Sequence, residues 1–162
     1  MNIFVLSENP IEAAQMLCNK HVPKMILESA QMLCSALVHH KKVPQSNVPY
    51  KSTHYNHPCT KWVAQSTANS SWLMHHALQM CTEFELRYNK IHKTQSVFIE
   101  LYDKFPNEYN DSWQNHTPFA LAMPDKYKCD DAVKSYRDFY KGEKYFAKWE
   151  PLTKTPDWWD TK

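Results

Sequence analysis

The sequence predicts an all-α fold, a compact single-domain helical bundle with a short extended N-terminal arm and long ordered loops. Only one glycine, Gly142, occurs in the chain, which leaves little room for the tight turns of β-hairpins. From Val22 to His40 apolar residues recur at intervals of three and four, as they do on the buried face of a helix. A length of 162 residues with 43% hydrophobic residues suits one domain, to which residues 1–162 are assigned.

The first elements follow from local signals in the N-terminal part of the chain. Residues 1–6, MNIFVL, predict a short strand or an extended, buried arm. Asn9–Pro10 is typical of an N-cap followed by proline in the first turn, which predicts a helix to about Asn19. Pro23 lacks an amide hydrogen and disfavours helix at the residue before it, so a second helix is expected to start there and to end at His40.

The later helices are predicted from a capping residue or from a proline in the first turn. Residues 43–57 are polar and contain two prolines, which indicates an ordered surface loop before the third helix. The helices are expected to start at Pro58, at Trp72 after a cap by Ser70 or Ser71, at Thr94 and after a cap by Asp130. The fourth is expected to end near Asn89, and the last at Gly142 in the left-handed conformation.

Composition indicates the cellular compartment and the class of binding partner that the protein is suited to. The formal charge of +2 is only weakly basic, so charge alone does not mark a nucleic-acid binder. Five cysteines without a CxxC pair favour reduced, mostly buried thiols in a cytosol. The N-terminus lacks the pattern of a signal peptide, and no apolar run is long enough to span a membrane, which predicts a soluble intracellular protein without a membrane partner.

The second helix carries the first polar constellation. His21, Lys24 and Glu28 stand at i, i+3 and i+7, so an imidazole, an ammonium group and a carboxylate share one helix face. The alternative is that Lys24 and Glu28 form an ordinary surface ion pair. Lys20 and His21 lie where two helix ends meet, and the N-terminal amides of the second helix are expected to be available to an anion there.

Two further groups of polar residues are candidates. His76, Gln79, Glu83 and Arg87 form a stripe on the fourth helix, either a solvated face or the second wall of a helical cleft. In HYNHPC, residues 54–59, the spacing of His54, His57 and Cys59 resembles that of metal ligands. Without a CxxC or HExxH partner, these histidines are expected to hydrogen-bond substrate or loop, and no metal or cofactor is predicted.

The segment SYRDFYKGEKYFAKW, residues 135–149, interleaves cations with aromatic rings. Arg137 and Lys144 could bind phosphates while Tyr136 and Tyr140 stack on unpaired bases. The alternative is a core helix whose lysines extend toward solvent along their aliphatic stems.

The segments CNKHVPKMILESAQMLC, THYNHPC, TPFALAMPDKYK and SYRDFYKGEKYFAKW together resemble a family of small, mostly uncharacterised proteins of tailed bacteriophages. That resemblance implies a phage-encoded protein in the host cytoplasm. The arm ending at Ser7–Glu8, the KHVPK stretch and SYRDFYKG are also similar to the phage pyrimidine-dimer DNA glycosylases. These are compact all-α enzymes that excise a damaged base and nick the strand through a Schiff base.

The glycosylase resemblance implies a DNA-facing surface with Lys20, Lys24 and Arg137 on phosphates. Two departures affect the chemistry. The glycosylases expose an N-terminal amine by removing the initiator methionine, whereas Asn2 is too large for that removal to be expected. They also place a catalytic glutamate beside an arginine, where this chain has His21 beside Lys20. The amine would then be that of Met1 or Lys24, and His21 or Glu28 would move protons.

Three functions remain open from the sequence: a DNA glycosylase/lyase acting on a flipped or damaged base, an enzyme of nucleotides or small phosphorylated substrates, and a non-catalytic module that binds DNA or a host protein. The candidate catalytic residues are His21, Lys24, Glu28 and Glu83. The candidate substrate- or DNA-binding residues are Lys20, His54, Asn56, His57, His76, Arg87, Tyr136, Arg137, Tyr140 and Lys144.

Overall fold

The computed structural model describes residues 1–159, which contain six α-helices and no β-strand. The helices are α1 Pro10–Gln15, α2 His21–Ser35, α3 Pro58–Gln65, α4 Thr67–Tyr88, α5 Gln95–Lys104 and α6 Ala132–Glu143. The long helix α4 is central and packs against α1, α2, α3 and α5. The predicted all-α fold is confirmed.

The N-terminal arm is a buried, irregular segment. Its apolar residues from Ile3 to Leu6 are almost inaccessible to solvent. The side-chain oxygen of Asn2 accepts hydrogen bonds from the amides of Ile3 and Phe4, at 2.8 and 3.0 Å. Phe4 adopts a left-handed conformation with φ of 42°. The prediction of a buried arm is confirmed over the strand alternative, but the backbone of the arm is irregular rather than extended.

The junction between α1 and α2 differs from the prediction. Helix α1 ends at Gln15, and the chain then turns through Cys18 into α2. The amides of His21 and Val22 both donate to the carbonyl of Cys18, at 2.9 and 3.2 Å. The prediction that these amides are available to an anion is therefore wrong. A π-helical turn, Ala36–His40, extends α2 to the predicted end.

Helix α4 begins at Thr67, whereas the sequence predicted a start at Trp72 after a cap by Ser70 or Ser71. The Ser66 side chain accepts from the amide of Asn69 at 3.1 Å and is the N-cap. Ser70 and Ser71 are buried within the helix, and the Ser70 hydroxyl donates to the carbonyl of Val63 at 2.9 Å. Asn89 ends α4 in the left-handed conformation, as predicted.

The last helix is capped by Asp131 rather than Asp130. Gly142 lies inside α6 and has no positive φ, so the prediction of a left-handed terminator is wrong. A Cβ atom at Gly142 would lie 2.2 Å from the Tyr127 hydroxyl oxygen. That hydroxyl donates to Glu143 Oε1 at 2.8 Å. A side chain at position 142 would therefore displace the Tyr127 ring, which crosses the helix in contact with its backbone.

All five cysteines are unpaired, and four of them are buried, which confirms the expectation of free thiols. Within the described residues, no helix is long and apolar enough to cross a membrane. The segment after α6 packs back onto the junction of α1 and α2. Trp149 is buried, and its ring N–H donates to the carbonyl of Met16 at 2.9 Å.

Candidate active site

The carboxylate of Glu28 lies between two amino groups. Its Oε2 is 3.7 Å from the Met1 amino nitrogen and accepts the Asn2 amide hydrogen at 3.1 Å. Its Oε1 is 3.8 Å from Lys24 Nζ. The Glu28 side chain is only 14% exposed, whereas that of Lys24 is 62% exposed. Two candidate nucleophiles thus contact one partly buried carboxylate.

The Met1 amine is held in place by the residues on both sides of it. The Met1 side chain is only 4% exposed, and the Thr60 hydroxyl of α3 donates to its sulfur at 3.7 Å. The Asn2 side-chain amide donates to the carbonyl of Ala122 at 2.8 Å. The buried arm therefore holds the Met1 amine in position against Glu28. No loop has to close over the amine to order it.

The loop before α3 brings His57 within electrostatic reach of this amine, with His54 nearby in the same loop. His57 is the N-cap of α3, and its Nδ1 accepts from the amide of Cys59 at 3.1 Å. Burial lowers the pKa of His57, and the charges of the Met1 amine and His54 lower it further, with Glu28 opposing them. His54 adopts a left-handed φ of 49°, and its Nδ1 bonds the Thr53 hydroxyl.

The same loop does not have the geometry of a metal centre. Cys59 is buried, and burial raises the pKa of its thiol to about 12. Over residues 1–159, no three His, Cys, Asp or Glu side chains are close enough together to hold an ion. Asn56, at the tip of the loop, is exposed.

His21 lies next to this cluster on α2, in an aromatic cage. Its ring stacks on Phe4 with centroids 4.7 Å apart, and its Nδ1 is 2.7 Å from the Tyr140 hydroxyl. Burial lowers the pKa of His21 to about 4, assisted by the positive charges of Lys144, Lys24 and Lys20. His21 is therefore neutral near pH 7.

Two of these lysines are held over aromatic rings. Lys20 Nζ lies 4.7 Å from the centre of the Phe146 ring. Lys144 Nζ lies 4.6 Å from the ring centre of Phe139 and 5.7 Å from that of Phe4. Burial lowers the pKa of Lys144. Cations from α2 and from the end of α6 thus surround one histidine.

The aromatic residues of α6 are part of the core. Tyr136 and Tyr140 are fully buried, and both hydroxyls are engaged, that of Tyr136 with the Ala120 carbonyl at 2.6 Å. The prediction that these rings stack on unpaired bases is wrong, and the alternative of a core helix is confirmed. Arg137 Nε donates to the Leu6 carbonyl at 2.9 Å, and its guanidinium lies over Trp158.

The polar stripe on α4 is internal rather than a solvated face. His76 is completely buried and stacks on Trp72 with centroids 5.0 Å apart. Glu83 and Arg87 form a buried ion pair of 2.9 Å. The prediction of a solvated face is wrong for His76, Glu83 and Arg87, whose side chains are buried.

Arg87 closes the C-terminal end of α1. Its guanidinium donates to the carbonyls of Leu17 and Gln15, at 2.7 and 3.1 Å, and to Asn19 Oδ1 at 3.2 Å. Glu83 also lines a separate open groove of about 760 Å³ with residues that include Glu12, Arg137 and Trp158. The structure thus brings Met1, Lys24, Glu28 and His57 together, with His21 one turn before Lys24 on α2, whereas Arg87 and Glu83 of α4 hold the end of α1.

Asn2 and Phe4 contribute to the site and were missed by sequence reasoning. A polar residue inside the apolar arm MNIFVL was the available signal for Asn2, whose side chain bonds both the arm and the Ala122 carbonyl. Nothing in the local sequence marks Phe4, because its role depends on the rings of His21 and Tyr140, which come from α2 and α6.

Comparison with known proteins gives one family match. The model of the family described as pyrimidine dimer DNA glycosylase matches residues 1–96. Neither the curated proteins nor the solved structures contain a significant match. The matched region includes the arm and α1 to α4, and with them Met1, His21, Lys24, Glu28 and His57. Because the match spans more than half of the 162 residues, the chain belongs to the pyrimidine dimer DNA glycosylase family.

Proposed function

We propose that this protein is a DNA glycosylase with an associated lyase activity, which removes a damaged pyrimidine and then cleaves the strand. Membership of the family implies DNA repair of the glycosylase type, with DNA as substrate. The observation that supports the specific chemistry is the contact of two amines with the Glu28 carboxylate, 3.7 and 3.8 Å away.

In this proposal a neutral amine attacks C1′ of the damaged nucleotide. The bond from C1′ to the base breaks, and the base leaves with the bonding electron pair and takes up a proton from water. Glu28 accepts a proton from the attacking nitrogen and passes it to O4′ as the C1′–O4′ bond breaks, which opens the sugar ring and leaves a protonated imine. Removal of a C2′ proton then expels the 3′ phosphate, and water hydrolyses the imine to release the enzyme. A target base within a duplex is flipped out before attack.

The α-amine of Met1 is favoured over Lys24 because it is held more rigidly. The Met1 side chain is only 4% exposed, compared with 62% for that of Lys24. Rigid placement of a nucleophile lowers the entropic part of the barrier.

Borohydride trapping tests both the reaction and the amine. The protein is incubated with a duplex that contains one cyclobutane pyrimidine dimer, and separately with one that contains an abasic site, in the presence of sodium borohydride. Reduction of an imine leaves a stable protein–DNA adduct, and peptide mapping by mass spectrometry locates it. We expect an adduct on Met1 with both duplexes and none with undamaged DNA.

The variant Lys24→Met is the second part of the experiment. If Met1 is the nucleophile, this variant retains trapping, and its matched control is Lys104→Met, which breaks another i,i+4 lysine–glutamate pair on α5. An adduct on Lys24, together with loss of trapping in Lys24→Met, would show that Lys24 rather than Met1 is the nucleophile. Absence of any adduct on both damaged substrates would contradict the glycosylase/lyase proposal.

A further inference from the structure

His57 is held so that only one of its ring nitrogens can carry the hydrogen. It is the N-cap of α3, and its Nδ1 accepts the amide hydrogen of Cys59, with 3.1 Å between the two nitrogens. A backbone amide can only donate, so Nδ1 is unprotonated. Burial and the charge of the Met1 amine lower the pKa of His57, so the ring is neutral near pH 7. A neutral imidazole that accepts at Nδ1 carries its hydrogen on Nε2.

The Nε2–H group of His57 has no acceptor within the described chain. The side chain is only partly buried, and no group among residues 1–159 accepts a hydrogen bond from Nε2. His92, just before α5, provides a comparison. Its Nδ1 accepts the amide hydrogen of Thr94 at 3.2 Å, with the same two-residue spacing, but its other ring nitrogen hydrogen-bonds the carbonyl of Pro23. The same local arrangement is thus complete at His92 and leaves one donor available at His57.

The first turn of α3, which His57 caps, packs against the N-terminal arm. Thr60, one turn after His57, donates its hydroxyl hydrogen to the Met1 sulfur at 3.7 Å. Between them, the thiol of Cys59 hydrogen-bonds the backbone of Ile3. The charge of the Met1 amine acts on His57 across this contact. A sugar placed for attack by the amine would therefore adjoin the available donor of His57.

The opening of the sugar ring calls for a donor at this place. When the C1′–O4′ bond breaks, the bonding electron pair stays on O4′, which gains negative charge until it receives the proton carried by Glu28. O4′ is bonded to the carbon that the amine attacks, so a donor beside the amine is within reach of it. A neutral donor that is already oriented stabilises such a developing charge without reorganisation.

We propose that His57 is a catalytic residue whose Nε2–H donates a hydrogen bond to O4′ of the target deoxyribose as the sugar ring opens. This inference rests on the proposed function. In this step the C1′–O4′ bond breaks, a double bond forms between C1′ and the amine nitrogen, and O4′ takes the bonding pair and then the proton from Glu28. His57 keeps its own hydrogen throughout and acts as neither acid nor base.

Trapping rates on two duplexes test this role. His57→Asn keeps a side-chain oxygen that can cap α3, but its amide does not extend to the position of Nε2. On the duplex with one cyclobutane dimer, where the enzyme has to open the ring, single-turnover borohydride trapping should slow about 100-fold. An abasic site reaches its open aldehyde in water without the enzyme, so trapping on that duplex should stay within about threefold of the unaltered protein.

The matched control is His92→Asn, which replaces a histidine with the same amide contact but an Nε2 that is already bonded. It should leave the ratio of the two trapping rates unchanged. Equal slowing of His57→Asn on both duplexes would mean that His57 only positions the amine, and an unchanged rate on the dimer would mean that it takes no part in ring opening. Either result overturns the inference, whereas the adduct itself would still support the glycosylase/lyase proposal.

Nitrogen NMR of the intact protein, labelled with ¹⁵N at histidine, tests the tautomer without any DNA. The signals of His57 and His92 are identified by their loss in His57→Asn and His92→Asn. At pH 7 we expect a protonated Nε2 and an unprotonated Nδ1 in both residues. A charged His57 ring, or a proton on its Nδ1, would overturn the inference whether or not an adduct is trapped.

Discussion

At the scale of single residues, the distinctive feature is a carboxylate shared by two amines. Glu28 is an i+4 partner of Lys24, a spacing that occurs on many helix surfaces, and the exposed pair Glu100–Lys104 repeats it on α5. The difference is the Met1 amine, which approaches Glu28 from a buried arm. An exposed pair such as Glu100–Lys104 contributes little to stability. Our proposal gives the partly buried Glu28 a role in proton transfer from the Met1 amine.

Glu28→Gln should reduce the rate of borohydride trapping by about 100-fold, because a carboxamide accepts no proton from the amine while it retains an oxygen for the Asn2 amide. Single-turnover trapping on the dimer-containing duplex measures the rate. The matched control is Glu100→Gln, which should leave the rate unchanged. A rate for Glu28→Gln within about threefold of the unaltered protein, with the same melting temperature, would remove Glu28 from the chemistry.

At the scale of elements, buried polar side chains on α4 stabilise the end of α1. Arg87 donates to the carbonyl of Gln15, the last residue of α1, and to that of Leu17 just beyond it, and its charge is neutralised by the buried Glu83. Removal of one partner of a buried ion pair leaves a charge without compensation, which is far costlier than the loss of an exposed pair.

Arg87→Met should therefore lower the free energy of unfolding by about 3–5 kcal/mol, since it leaves Glu83 unpaired and the carbonyls of Gln15 and Leu17 without donors. Lys104→Met removes the cation of an exposed pair with the same i,i+4 spacing and should cost less than about 0.5 kcal/mol. Urea unfolding followed by circular dichroism measures both. Similar small losses in the two variants would show that the α4 pair is not needed to hold α1.

At Gly142 in helix α6, the helix preference of alanine and the packing against Tyr127 predict stability changes of opposite sign for the substitution by alanine. Alanine normally stabilises a helix interior relative to glycine by about 1 kcal/mol. At Gly142 the added Cβ would meet the Tyr127 hydroxyl at 2.2 Å, so Gly142→Ala should instead lower the free energy of unfolding by about 1 kcal/mol. In the background of Tyr127→Ala the same change should become stabilising. Thermal melts of the four proteins form the cycle, and stabilisation in both backgrounds would contradict the contact.

The sequence allowed the elements to be predicted better than the contacts between them. The face of His21, Lys24 and Glu28 follows from helical spacing alone, and the cap of α1 at Asn9 follows from local chemistry. The Met1–Glu28 contact joins residues far apart in the chain and depends on the path of the arm. The errors at Gly142 and at Glu83 and Arg87 have the same origin, because a distant side chain, not local propensity, determines the environment there.

At the scale of the whole molecule, two neutral histidines are enclosed in the core. Burial lowers the pKa of His21 from its usual 6.5 to about 4 and that of His76 to about 3. Between these values and 6.5 the unfolded chain binds protons that the folded chain does not. The contribution to stability is therefore complete above pH 6.5 and is lost as the pH falls, by about 1.4 kcal/mol per pH unit for each histidine.

His76→Leu isolates the larger of these two effects. Neither ring nitrogen of His76 has a hydrogen-bond partner within residues 1–159, although the ring is completely buried. An apolar side chain of similar size should raise the free energy of unfolding at pH 7 by about 1–3 kcal/mol, because it removes the cost of two unbonded polar atoms. The advantage should grow by about 2 kcal/mol at pH 5, where the unfolded His76 would be protonated.

Urea titrations at the two pH values measure both the stabilisation at pH 7 and its increase at pH 5, with the exposed His40→Leu as a control that should show neither. A loss of stability at pH 7 would instead indicate that a buried water bonds the imidazole, since such a water would be displaced by leucine.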